Sequence, residues 1–206
     1  IEPELLLTKV LGLNIEYQHL SIDGSILGLT SFEEVEVEVF DYADTDTFLL
    51  LDGKTVVVEE DLHNDSTQTG RFNFTLMHEG SHQIFKKLFP NEYGCKMQTA
   101  SPVHYHMLNS EKKKPIKDWE EWQANTLAAA ILLPKDLIDY GMFLFGLGEK
   151  IKCLNRITDA ETYEKFSALA NFLGASKSAL AIRMKQLKLL EKEYLDNPFA
   201  IMDIYA

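Results

Sequence analysis

The sequence predicts an α+β protein with a mainly helical core, a small and mostly antiparallel sheet, and a C-terminal helical element of helix-turn-helix outline. Three observations carry this. Val35, Val37 and Val39 alternate with Glu34, Glu36 and Glu38, the period-two pattern of a strand with one buried and one wet face. Two longer segments, about 73–88 and 117–133, place apolar residues at helical spacing. Near the end, a helix over about 161–173 meets Gly174, and Ser176 then caps a helix running to about Leu187.

The other elements follow in order. PELLLTKVLGL reads as a short apolar helix ending near Gly12, and Asn14 to Tyr17 begin a strand. Residues 26–40 carry strand patterning, and TVVVEED, from Thr55, is a strand after a Gly53 turn. Their spacers are too short for crossover helices, which favours antiparallel pairing. The polar, weakly patterned stretch from Pro90 to Pro115 reads as a long loop, and Pro134 terminates the helix that follows it. DLIDYGMFLFGLG adds a helical turn or two, and the tail NPFAIMDIYA an extended docking segment. The expected organisation is one domain over 1–150, with its sheet at about 14–60, and a C-terminal element over 151–206.

Composition narrows the function. The 206 residues carry a net charge of -12, which argues against a protein that coats nucleic acid through its phosphates. Two cysteines, Cys95 and Cys153, cannot build a disulfide scaffold; they read as ordinary apolar residues of a reducing, cytoplasmic compartment. No segment holds eighteen apolar residues without a charge, so no membrane-spanning helix is expected. The charge is uneven. Between Glu33 and Asp65 there are twelve acidic residues and one lysine, best read as a solvated sheet face. Between Lys177 and Lys192 there are five basic residues (Lys177, Arg183, Lys185, Lys188, Lys192) and one acid, Glu191.

The chemistry concentrates in His78-Glu79-Gly80-Ser81-His82. Two histidines four apart on a helix project from one face, one turn apart, as two ligands of a single zinc ion must. Glu79 stands beside them, placed to take a proton from a metal-activated water. Phe74, Met77, Phe85 and Leu88 are the expected apolar anchor of this helix. Gly80 and Ser81 are poor helix formers, which suits a close approach by another backbone or by substrate. A third ligand is still required, and the second helix supplies candidates. Glu121, Asn125, Ala128 and Leu132 share one stripe, so Glu121 is the favoured third ligand and Asn125 a residue to orient it or a histidine. Asp118 and Glu120 are the competing carboxylates. Ala124, Ala128, Ala129 and Ala130 would allow close packing on the HExxH helix. His104, Tyr105 and His106, between the two helices, are candidate donors to a developing oxyanion.

GRFNFTLMHEGSHQIF followed by EWQANTLAAAILLP resembles the ImmA/IrrE family of bacterial zinc metallopeptidases, which typically show GRxxFTLAHELGHxxxH and later ExxANxFAAxLLMP. LANFLGASKSALAIRMKQLKLL is similar to that family's FxVSxxALxxRLxxLGL element, so the resemblance covers nearly the whole chain. It implies a zincin-like (gluzincin-like) core binding one Zn2+, with His78, His82 and Glu121 as ligands and Glu79 as general base. It further implies a protein substrate, a helix-turn-helix transcriptional repressor, in a bacterium, prophage or mobile element. The departures are Met77 for Ala, Lys86 or Lys87 where a further His is frequent, and Leu133 for Met. Gly80 and Ser81 also reverse the usual large-then-Gly order. None removes a ligand or the base. The alternatives are a regulatory or DNA-binding protein with a structural or vestigial zinc site, using the basic stripe, and a metal-dependent hydrolase of another substrate.

Overall fold

The chain begins with a helical turn, α1 (Pro3–Leu5), which widens into a π-helix over Leu6–Leu11 and stops at Gly12 in a left-handed cap. Five strands follow: β1 (Asn14–Gln18), β2 (Ile26–Ser31), β3 (Glu34–Phe40), β4 (Asp46–Asp52) and β5 (Thr55–Glu59). A short helix α2 (Glu60–Asn64) and a 3₁₀ turn lead into the long helix α3 (Thr69–Leu88). After β6 (Val103–Met107) come α4 (Trp119–Leu132), α5 (Lys135–Leu144), β7 (Ile151–Leu154), α6 (Ala160–Phe172), α7 (Lys177–Gln186) and β8 (Leu190–Glu193). The computed structural model describes residues 1–41, 46–93, 103–107 and 119–199. They form two compact units, Glu2–Ala128 and Ala129–Ala206, divided within α4.

In the first unit, β1, β5, β2 and β6 form a four-stranded sheet in that order. β5 is buried at all five residues, which explains its uninterrupted TVVV run: both of its faces are covered. On one face, Leu29 and Val57 pack with Leu20, Val37, Val39 and Leu51 beneath the β3–β4 hairpin. Each such side chain, fully buried, stabilises the fold by about 1.5–3 kcal/mol. The other face receives α3. A methyl group built on Gly28 of β2 would lie 2.7 Å from Thr75 Cγ2 and 3.1 Å from Glu79 Cγ, so helix and strand meet there at close range. Gln83 adds a polar tie, donating from Nε2 to Thr30 Oγ1 and to the Ser31 carbonyl, both at 2.7 Å.

The second unit has a hydrocarbon core that includes Ile138, Met142, Phe166, Leu169, Leu180 and Met184. Gly141 lets α5 approach α6, since a methyl group there would meet Leu169 Cδ1 at 2.3 Å. Gly174 turns the chain at φ 63°, and Ser176 accepts from the Ala179 amide at 3.1 Å to cap α7. β7 and β8 close the unit as a parallel pair.

The α+β class, the small sheet and the C-terminal helices are as the sequence predicts. Val37 and Val39 are buried while Glu34, Glu36 and Glu38 are exposed, so the hairpin has its dry and wet faces. Several expectations need correction. Residues 26–40 are two strands in separate sheets, broken at Phe32 and Glu33. β1 pairs β5 in parallel: the connection between them is made of β2, β3 and β4, not a crossover helix. The stretch from 90 to 115 is not all loop, because β6 lies in it and pairs antiparallel with β2. β7 and β8 bracket the helix pair that the sequence showed without strands. On α3, Leu88 is exposed and Phe74 and Phe85 are only half-buried; Phe72, Leu76 and Met77 do the anchoring. Cys153 is a half-buried free thiol of β7. Cys95, Asp118 and the tail from 200 lie outside the described residues. Among the described residues, no helix is long and apolar enough to cross a membrane.

Candidate active site

The centre of α3 is buried on every side. Residues 75–83 are all buried, although six of them are polar: Thr75, His78, Glu79, Ser81, His82 and Gln83. Gly80 makes this possible on the side of the N-terminal helix. A methyl group at position 80 would lie 2.3 Å from Leu7 Cδ2, so the glycine admits the Leu7 side chain, rather than the backbone or substrate expected from sequence. Ser81 answers its own burial by donating to the Met77 carbonyl at 2.7 Å.

The two histidines converge through their Nε2 atoms, which stand 3.1 Å apart. Glu121, in the first turn of α4, brings Oε2 to 3.2 Å from His78 Nε2 and Oε1 to 3.2 Å from His82 Nε2. The three side chains therefore face one another as a triangle, with each histidine nitrogen nearest a different oxygen of the one carboxylate. Zinc–ligand bonds of 2.0–2.1 Å in tetrahedral geometry separate neighbouring ligand atoms by about 3.3 Å, close to the nitrogen–nitrogen and the two nitrogen–oxygen separations here. The donor set also fits: two imidazoles and a carboxylate, with a fourth position left for water or substrate. The group could hold a metal ion. Both histidines are fully buried while the Glu121 side chain is 32% exposed, so the site opens to solvent on the carboxylate side.

Glu79 is fully buried, and among the described residues neither carboxylate oxygen has a hydrogen-bond partner. Burial, and then the nearby Glu121 charge, push its carboxyl well above the usual carboxylate range. Such a group is costly to a folded chain, which makes Glu79 a candidate for chemistry rather than for packing. Gly28 makes its room: a methyl group there would sit 3.3 Å from Glu79 Oε1.

Sequence reasoning placed His78, Glu79, His82 and Glu121 as candidates, and the fold brings them together. Asn125 is exposed and donates to the Glu121 main-chain carbonyl at 2.9 Å, one turn back, not to its carboxylate. Ala124 and Ala128 are buried, Ala129 and Ala130 half-buried. His104, Tyr105 and His106 lie in β6, where His106 is in register with Gly28; their side chains are outside the described residues. The sequence reading missed two residues at the site, Gly28 and Tyr93. Tyr93 Oη lies 2.7 Å from His82 Nδ1, and no motif marked it because it follows the helix in the unpatterned stretch.

A second group, His19, Glu59 and Asp61, also lies close enough to hold an ion. It differs in that two of its members are already hydrogen-bonded within the protein. His19 Nδ1 is 2.9 Å from Glu59 Oε1, and Glu59 Oε2 accepts from the Leu20 amide at 2.8 Å. That is an ion pair joining the ends of β1 and β5.

The first cluster, with Glu79 beside it, matches a generic HExxH-type zincin metal site and supports a zinc-protease-like active site. No protein-family profile matches the chain, and no curated protein matches it either.

Proposed function

We propose that the protein is a zinc-dependent endopeptidase of ImmA/IrrE type, acting in the cytoplasm of a bacterium on a helix-turn-helix repressor. The single observation that carries the reading is the convergence of His78, His82 and Glu121 at closest contacts of 3.1–3.2 Å, beside a buried Glu79 that has no hydrogen-bond partner among the described residues. In this reading His78, His82 and Glu121 hold one Zn2+. A zinc ion held there would supply Lewis acidity for attack of water on a carbonyl. Glu79 takes a proton from the attacking water and passes it to the leaving amine nitrogen. β6 lies at the edge of the sheet, where an extended peptide can add as a further strand, held by main-chain hydrogen bonds. His104, Tyr105 and His106 on that strand are the candidate oxyanion donors.

The substrate and the bacterial, mobile-element setting rest on the motif resemblance alone. The C-terminal helices would then help to hold the protein substrate. DNA binding by their basic stripe is the weaker reading, because Lys185 already pairs with Glu193 at 2.9 Å and Arg183 donates to the Leu133 carbonyl at 3.1 Å. The test is to incubate zinc-loaded protein and its Glu79→Gln variant with the repressor encoded beside it, and with an unbiased peptide mixture read by mass spectrometry. Cleavage by the wild type that the variant lacks supports the peptidase. No cleavage by either, with tight binding to an operator duplex, overturns it in favour of a DNA-binding protein with a structural zinc.

A further inference from the structure

We propose that Tyr93 is a positioning residue of the metal site, fixing the tautomer of His82 and tying that ring to the start of the helix that bears Glu121. The inference rests on the reading of this cluster as a metal site.

Tyr93 is 4% exposed, and its hydroxyl lies between two groups: His82 Nδ1 at 2.7 Å and the Glu120 main-chain carbonyl at 3.3 Å. A carbonyl can only accept, so the phenolic hydrogen goes to Glu120. The phenolic oxygen is left as an acceptor, and His82 must then donate to it from Nδ1–H. A neutral imidazole carries one ring proton, so Nε2 keeps its lone pair. Nε2 is the atom that faces His78 Nε2 and Glu121 Oε1. The hydroxyl therefore selects the form of His82 that can bind a cation and aims its lone pair into the triangle. Because Glu120 precedes Glu121, the same hydroxyl also links the second ligand to the backbone of the third.

Tyr93 is itself held. Its ring stacks on Phe85, with centroids 5.3 Å apart and planes at 17°, and meets Phe32 edge-on at 6.0 Å. Its amide donates to the Phe89 carbonyl at 3.0 Å, folding the chain back just after α3. Lys86 Nζ donates to the carbonyls of both Pro90 and Tyr93, each at 3.0 Å. A ring packed between two aromatic neighbours, on a main chain that is itself tied down, can orient a ligand at little entropic cost.

The test is Tyr93→Phe, which removes one oxygen and keeps the ring. Zinc affinity is measured by competition with a chromophoric chelator, and the His82 tautomer by ¹⁵N NMR of the metal-free protein. Zinc Kd is expected to rise roughly 10- to 100-fold, the range for outer partners of metal ligands. The His82 signal is expected to leave the Nδ1–H form. Both readouts must move. A Kd within threefold of wild type, or an unchanged tautomer, overturns the proposal, since loss of packing alone would leave the ring proton in place. Wild-type protein that binds zinc no better than His82→Ala would instead overturn the metal reading itself, a result distinct from a Tyr93→Phe variant that matches a zinc-binding wild type.

Discussion

The two units of the chain bury different things. Among the described residues, the buried polar or charged side chains of Glu2–Ala128 are Thr30, Ser31, Thr55, Glu59, Thr75, His78, Glu79, Ser81, His82 and Gln83, ten in all, against Asn155 alone in Ala129–Ala206. Asn155 is satisfied: its Oδ1 accepts from the Ile157 amide at 2.8 Å and its Nδ2 donates to the Pro198 carbonyl at 2.8 Å. Glu79 is not. Burying polar groups opposes folding, so one unit is organised around stability and the other tolerates instability at a site. The difference teaches where function is to be sought, and it can be broken or sharpened by mutation.

The largest effect is expected at Glu79. Glu79→Gln keeps the shape and removes the charge, so hydrolysis should fall by roughly 10²- to 10⁴-fold. Thermal unfolding of the metal-free variant should be unchanged or improved. A matching loss of stability would mean that Glu79 is a structural residue, and the contrast between the units would fail. Phe166→Ala is the opposite case. It should cost about 3–5 kcal/mol by denaturant titration, as expected for a fully buried aromatic ring. The folded variant should bind zinc in the wild-type ratio.

Gly28→Ala tests the seam between strand and helix. The added methyl group meets Thr75 and Glu79 at under 3.2 Å, so a loss of about 1–3 kcal/mol is expected, together with reduced turnover. Unchanged kinetics would show that the Glu79 pocket can relax. A smaller effect lies in the His19–Glu59 pair. Its hydrogen bond to Glu59 raises the His19 pKa against the opposing pull of desolvation. A raised pKa means that the protonated form is favoured in the fold. The stabilisation is complete below the unfolded value, about 6.5, and is lost as pH rises through the folded value. Urea unfolding midpoints should therefore fall with rising pH above neutrality, and His19→Gln should flatten the slope. The smallest effect is at Lys185→Ala. Its pair with Glu193 joins side chains 40% and 26% exposed, so chemical denaturation should register less than about 1 kcal/mol.

Local pattern was enough to read much of this molecule. HExxH spacing is visible because a helix's pitch alone puts residues four apart on one face. The Val/Glu alternation of β3 and the Gly174–Ser176 turn are equally local, each set by backbone geometry within a few residues. The missed strands are those whose reason to exist is a distant partner. β6 pairs with β2 some seventy residues earlier, and β7 with β8 nearly forty residues later, so no window of the sequence contains the interaction.

The opposing case is the basic stripe. Counted along the chain it is open to DNA, but Glu193, just beyond the counted stretch, neutralises Lys185, while Glu191 pairs with Lys150. Lys177 lies over the Tyr163 ring at 5.3 Å.

By itself, then, the sequence determined the α+β class, the helical pair of histidines and the carboxylate between them, because these depend on short-range periodicity and on the chemistry of side chains. Tertiary structure decided that Glu121, which the sequence favours over Asp118 and Glu120, does reach both histidines, and it alone decided that Gly28 leaves room for Glu79, that Leu7 explains Gly80, and that Tyr93 meets His82. Those are contacts between segments far apart in the chain, and only the packing of helix against sheet determines which of many possible neighbours arrives.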